Sequence, residues 1–382
     1  MKYEELLHRC FRCGWCKMPV NYTDFNCPSY LQYCFESFSA GGRMWLIRAW
    51  QQGELKAGER LAQILFTCAT CKNCVHACAL PGIRDHLVDI FMAAKGELAE
   101  QGIVPPAVRD YLKAMQTYGN PYKRSDAERA AWAEDLDLPR YAGQEYLFYV
   151  GDEGAFDEQG IRMAHTTAQL LRKTGVDFGI LAEAEISDGN DIRAAGEESL
   201  AKALAERLID RLNVLKVKKI VTLSPHAFNI MKTDYPGWGG AFAVQHVTQL
   251  LAPLIRKLPL KETALKVTYH DPCYLGRWQG EYEAARAALK AIPGLTLAEM
   301  TRNRQNALCC GGGGGNFFTD ILGHGADQSA RVRVREAAET GAEVLAVACP
   351  LCLKMLDDAV KAEGLDDRLR IRDVATLLLE AV

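Results

Sequence analysis

Two textures alternate along the chain between residues 145 and 348. Short, mostly apolar runs at 145–151, 176–182, 218–223, 265–270, 294–299 and 343–348 have the length of buried strands. Between them, apolar positions recur every three or four residues over 158–174, 196–214, 281–291 and 325–340, the period of an amphipathic helix. Strands alternating with helices predict two small sheets with parallel pairing and helices on both faces. Upstream, the stretch from 35 to 65 holds Arg43 to Trp50 and Leu61 to Phe66, again at helical spacing. Pro105-Pro106, Gly119-Asn120-Pro121 and a charged run from Lys123 to Arg129 predict a mobile connector over 101–143.

Beyond that connector the chain repeats itself. Glu145 to Asp152 parallels Lys266 to Cys273, Ile186 to Gly189 parallels Leu308 to Gly311, and Leu223 to Ala227 parallels Ala348 to Cys352, at offsets of 121, 122 and 125 residues. A nearly constant offset implies two copies of one α/β unit. In the first copy, Asp152, Ser187, Asp188, Ser224 and Ala227 stand where the second has Cys273, Cys309, Cys310, Cys349 and Cys352. Carboxylates, hydroxyls and a methyl lack the soft donors of five thiols, so whatever soft group the second copy holds, the first copy is expected to be an empty shell without it.

Composition narrows the class. The chain has 382 residues, 49% hydrophobic and 24% charged, with a net charge of −3. That is long enough for two or three domains and gives no reason to invoke nucleic acid. Residues 1–9 carry both charge signs and no apolar centre, unlike a secretory leader. No apolar run approaches the roughly 18 residues of a spanning helix. Fourteen cysteines, clustered in short spacings, favour metal binding in a reducing compartment over disulfides. The expected setting is cytoplasmic, peripheral to a membrane through partner subunits.

Thirteen of those cysteines fall into three groups. Cys10, Cys13, Cys16 and, eleven positions on, Cys27-Pro28 form one run, and Cys68, Cys71, Cys74 and Cys78 form a tighter one. This is the two-cluster ferredoxin arrangement, in which the fourth cysteine of each run serves the other cluster. It assigns Cys10, Cys13, Cys16 and Cys78 to one [4Fe-4S] cluster, and Cys68, Cys71, Cys74 and Cys27 to a second. The third group is Cys273, then Cys309-Cys310 ahead of five glycines from Gly311, then Cys349-x-x-Cys352. Each of those glycines weakens regular structure by about 0.5–1 kcal/mol relative to alanine. A glycine run suits backbone that must approach something bulky, and thiolates beside it suit an iron-sulfur cluster. Zinc, satisfied by four ligands, is the competing metal. Cys34 is left over and is expected to be a buried thiol. Trp15 and Trp45 are read as packing that keeps water off the clusters. His8, His76 and His86 flank the ligands, and His165, His226 and His324 read as structural or surface residues, with contact to a substrate or cluster sulfur as the alternative for His226.

Cys273, thirty-five residues, Cys309-Cys310-Gly311, and then Cys349-x-x-Cys352 after Cys310 by thirty-eight residues is a pattern that resembles the CCG domain of the heterodisulfide reductase D/B-like iron-sulfur proteins. Related chains are the iron-sulfur subunits of glycolate, lactate and glycerol-3-phosphate oxidation and the K subunit linked to sulfite reductase. The resemblance implies a noncubane [4Fe-4S] cluster on Cys273, Cys309, Cys310, Cys349 and Cys352, with Gly311 beside it. It implies an α+β multidomain fold: a helical two-cluster ferredoxin domain over 1–100, the connector over 101–143, a degenerate CCG repeat over 144–260 and an intact one over 261–382. It also implies an electron-transfer subunit of an anaerobic oxidoreductase complex. Flavoprotein or other redox subunits are the expected partners, since no flavin motif is visible here. The alternative is a disulfide or trisulfide reductase acting at the noncubane cluster, with Cys309, Cys310 and His270 as its catalytic residues. His270, Asp271 and Arg277 adjoin Cys273 and either contact cluster or substrate or shape the loop.

Overall fold

The computed structural model of the chain describes residues 3–382. Two four-stranded parallel sheets occupy the part beyond residue 145. The first is formed by β1 (Tyr146–Tyr149), β2 (Phe178–Gly179), β3 (Lys219–Thr222) and β4 (Ala243–His246), in the order β2-β1-β3-β4. The second is formed by β5 (Leu265–Tyr269), β6 (Leu295–Leu297), β7 (Val344–Val347) and β8 (Arg370–Asp373), in the order β6-β5-β7-β8. The identical order is the structural form of the sequence repeat. Central strands β1, β3, β5 and β7 are buried on nearly every residue, as expected for parallel strands covered on both faces.

The fourth strand of each sheet lies outside the apolar runs. β8 reads Arg-Ile-Arg-Asp with exposed and buried residues alternating, an edge strand whose partner-free side faces solvent. Each fourth strand ends in a helix cap: His246 accepts from Thr248 N–H, and Asp373 accepts from Thr376 N–H at 3.0 Å.

The connector is ordered, contrary to the expectation of mobility. Pro106 opens a helix, Pro106–Tyr118, and Gly119 closes it at φ +69°. Both are helix-end signals that resemble linker punctuation when read alone. A second helical stretch, Asp126–Leu136, starts with a Ser125/Glu128 capping box. It buries Trp132 edge-on against Phe148, with ring centroids 5.9 Å apart. Its Arg129, 1% exposed, lies 2.8 Å from Asp152 in a buried ion pair.

The amino-terminal part is helical: Pro28–Tyr33, Ala40–Gln51, Glu59–Phe66, Asn73–Ala77 and Leu87–Glu100. Buried Arg43 ties these together by donating to Ile64 O (2.9 Å), Phe38 O (2.7 Å), Ser29 Oγ (2.8 Å) and Thr67 Oγ1 (3.0 Å). Lys95, fully buried, donates to Cys68 O and Ala194 O, so one cation joins the helical part to the first repeat. Burial pulls its pKa down to about 8. No described helix is long and apolar enough to cross a membrane.

Candidate metal centres

The carboxyl ends of β5 and β7 aim their following loops at one point, the place where parallel sheets present ligands. Cys273 follows β5. Cys349 caps the helix Pro350–Ala362 that leaves β7, with Cys352 inside its first turn. Cys309-Cys310 arrive on the loop beyond β6. Cys309 Sγ lies 3.7 Å from Cys273 Sγ, and Cys310 Sγ lies 3.4 Å from Cys352 Sγ. Gly311 N–H donates to Cys309 Sγ at 3.3 Å, and Cys352 meets Cys349. All five thiols are buried.

Their protonation is uneven. Hydrogen bonds from Cys309 and Cys352 pull Cys310 well below an ordinary thiol. Burial pushes Cys349 up, but Cys352 and His226 together bring it down to about 6. Cys309 and Cys352, as the donors, are pushed well up.

His270, Asp271 and Arg277 part ways. A ring nitrogen of His270 and the sulfurs of Cys310 and Cys352 lie within 4.8 Å of one another. His270 Nδ1 accepts from Arg333 Nε at 3.2 Å, which leaves Nε2 as the N–H that faces Cys310. Asp271 turns away from the thiols to Arg286, with Oδ1 and Oδ2 at 2.6 and 2.9 Å. Arg277 donates to Cys71 O at 2.6 Å and to Ala307 O. Asp271 thus shapes its loop, whereas the buried guanidinium of Arg277 also lies near the Cys71, Cys273 and Cys309 thiols.

The ferredoxin-like cysteines line two neighbouring cavities. One is walled by Cys10, Cys13, Cys16 and Cys78 with Gly14, Ala40 and Gly41. The other is walled by Cys27, Cys68, Cys71 and Cys74, with Cys16 at its edge. Gly41 N–H donates to Cys16 Sγ at 3.2 Å, and burial pushes the free thiol of Cys16 up to about 12. Small residues around soft donors leave room for inorganic sulfide, so the donor set fits iron-sulfur clusters at all three places. Cys13 alone of the eight is exposed. Trp45 donates from Nε1 to Cys10 O at 2.9 Å, but Trp15 is 50% exposed and shields little. Cys34, expected inside, is exposed at the left-handed end of the helix Pro28–Tyr33.

The glycine run has an unexpected partner. A Cβ at Gly313 would overlap Ala69 O, and one at Gly314, where φ is +69°, would overlap Cys68 O. The bulky object approached so closely is the backbone of the second ferredoxin run. The same junction is locked by Tyr274 OH to Thr70 Oγ1 (2.8 Å), Trp278 Nε1 to Thr70 O (2.9 Å) and Lys72 Nζ over the Trp278 ring (3.6 Å). It brings the Cys71 thiol onto Cys309. One cysteine of the second cavity thus touches one of the carboxyl-terminal five.

The first repeat is filled instead of empty. At its strand ends lie Asp152, Glu153, Glu185, Asp188 and Asp191, with Ser187, Asn190, Ser224 and His226. Burial, reinforced by Asp191 and Asp152, raises Asp188 from 3.8 to about 7 even though Asn190 N–H and His226 oppose it. A carboxyl whose pKa rises on folding contributes stability fully below its unfolded pKa, near 4, and loses it as pH rises through 7. At 1.36 kcal/mol per pKa unit, charging Asp188 costs roughly 4 kcal/mol by pH 8, more than a third of it already by pH 5. Asp188→Asn is therefore expected to raise the melting temperature clearly more at pH 8 than at pH 5. Equal shifts at both pH values would contradict this.

Arg286 is not legible in the sequence as a special position, because its importance comes from Asp271 and Glu299, which only the fold brings to it.

Comparison with known proteins agrees with these thiol groups. Residues 6–80 match the family described as 4Fe-4S dicluster domain, and residues 267–357 the Cysteine-rich domain. The chain is 35% identical over 334 residues to the probable iron-sulfur-binding oxidoreductase FadF of Bacillus subtilis, covering 83% of this chain and 46% of that protein. It is 31% identical over 338 residues to the EtfAB:quinone oxidoreductase of Syntrophomonas wolfei, covering 84% and 47%. To the D-type polypeptide of the dihydromethanophenazine:CoB–CoM heterodisulfide reductase of Methanosarcina barkeri it is 29% identical over 410 residues, covering 98% and 94%. The chain thus spans about half the length of the first two relatives and nearly all of the third. A crystal structure of a hypothetical protein from Helicobacter pylori shares the fold over the whole chain and 72% of its own length, with a TM-score of 0.60 and 12% identity.

Proposed function

From a chain that belongs to the CCG-domain iron-sulfur proteins related to the D-type polypeptide of heterodisulfide reductase, we infer an iron-sulfur electron-transfer subunit of an oxidoreductase complex. We assign a cubane [4Fe-4S] cluster to Cys10, Cys13, Cys16 and Cys78, a second to Cys27, Cys68, Cys71 and Cys74, and a noncubane [4Fe-4S] cluster to Cys273, Cys309, Cys310, Cys349 and Cys352. We place the divisions at 1–100, 101–143, 144–260 and 261–382. When bound, such clusters supply one-electron carriage at the cubane sites and a centre suited to a two-electron sulfur couple at the third.

The chain's own residues give that arrangement an inside and an outside. Cys13, beside exposed Phe11 and Trp15, marks the end open to a redox partner. Lys95, Arg277, Thr70 and Trp278 fix the interior junction where Cys71 meets Cys309. One observation favours relay over catalysis: Cys309, Cys310, Cys349 and Cys352 are at most 3% exposed, so a disulfide has no open route to them in this conformation. The partner class is supported by the relatives, one of which is named for EtfAB and quinone. A flavoprotein and a quinone-linked subunit are the partners proposed here.

The second reading, disulfide or trisulfide reduction with Cys309, Cys310 and His270, is supported by the buried His270 ring nitrogen that faces Cys310 among the thiols. Incubating the anaerobic full chain with a low-potential donor and small disulfides separates the two. The relay reading predicts reduced clusters and no thiol release; steady turnover would establish the enzyme.

A further inference from the structure

The first repeat has lost its thiols, yet it sends one side chain into the second. His226, 5% exposed, stands in the first turn of the helix Pro225–Thr233. Its Nδ1 lies 2.9 and 3.1 Å from the two carboxylate oxygens of Asp191 and 3.3 Å from Asn190 Nδ2. Asn190 is held in turn by Asn229 at 3.2 Å, and Asn229 by Gln279 of the second repeat at 2.8 Å. The imidazole lies over Tyr274, the neighbour of Cys273, with ring centroids 4.1 Å apart. With Nδ1 taken by Asp191, the ring's remaining nitrogen edge serves its contact with Cys349.

We propose that His226 is a positioning residue for the carboxyl-terminal cluster: anchored by Asp191, it donates its second N–H to Cys349 Sγ. The first repeat is then kept as the outer wall of the neighbouring cluster, although it holds none itself. An N–H donor to a ligand sulfur withdraws electron density from it and favours the reduced cluster, which raises the reduction potential. The Tyr274 contact sets the ring plane, and the Asp191 carboxylate keeps Nδ1 from turning toward the sulfur.

This rests on Cys349 being a cluster ligand, and the test keeps the two apart. The full chain is purified anaerobically, and its iron content and the midpoint potential of each centre are measured by redox titration followed by electron paramagnetic resonance. His226→Phe keeps the ring on Tyr274 and removes the donor; Asp191→Asn keeps the ring and weakens its anchor. Both are expected to shift the third centre to more negative potential, His226→Phe further, with the two amino-terminal centres unmoved. Should His226→Phe fail to load the third centre, the Asp191→Asn shift decides. Full iron with an unmoved third potential in the variants overturns the role of His226 alone. A wild-type chain without a third centre overturns the cluster assignment and this inference with it.

Discussion

Cys310→Ala is expected to remove about a third of the iron, four atoms of roughly twelve in three [4Fe-4S] clusters, and to leave the signals of the other two centres in place. Cys310 belongs to the carboxyl-terminal group through Cys352, at 3.4 Å, and His270. The contact that crosses to the ferredoxin part runs through Cys309 and Cys71, so the substitution leaves the eight amino-terminal thiols untouched. Unchanged iron would mean that Cys310 is not a ligand. Loss of all iron would mean that the three sites assemble as one unit.

Arg286→Ala is expected to lower the unfolding free energy by about 3–5 kcal/mol, the usual effect of stripping one partner from a buried ion pair. Arg286 and Asp271 are 0% and 3% exposed and face each other with two parallel hydrogen bonds. The guanidinium also reaches Glu299 at 2.6 and 2.9 Å and Tyr282 O at 2.7 Å. Asp271 Oδ2 further accepts from Arg304 N–H at 2.7 Å, so the pair pins both the loop that starts at Pro272-Cys273 and the segment leading to Cys309. Removing the cation strands a carboxylate two residues from a cluster ligand. Urea melts of the two chains measure the loss, and the double variant Arg286→Leu with Asp271→Asn is expected to recover much of it. A loss below about 1 kcal/mol would show that the pair is relaxed by water.

The thiol groups and the repeat were readable because both are matters of spacing along the chain. Cysteines at fixed intervals and three parallel offsets carry their meaning without knowledge of neighbours in space. β4 and β8 were not readable: Ala-Val-Gln-His and Arg-Ile-Arg-Asp bury only alternate residues at a sheet edge, so neither makes an apolar run. The connector misled for a different reason. Pro105-Pro106 and Gly119 punctuate a helix as readily as a linker, and the buried Arg129–Asp152 pair that fixes the segment lies across 23 positions of sequence. The glycine run announced a close approach without saying to what. Only the fold reveals the carbonyls of Cys68 and Ala69 there. In the first repeat, the five substituted positions were readable from the offsets, but not the buried acidic interior around Asp152, Glu153 and Asp188, which is assembled only by the fold.

The central claim is that thirteen cysteines hold three clusters, two in the helical part and one of a different kind between the loops of the second sheet. Iron and zinc analysis with Mössbauer spectroscopy on the wild-type chain, purified without oxygen, tests it most directly. The account predicts about twelve irons per chain with a third of them in a distinct environment. Zinc at the carboxyl-terminal thiols, or about eight irons in a single class of cubane, would contradict it.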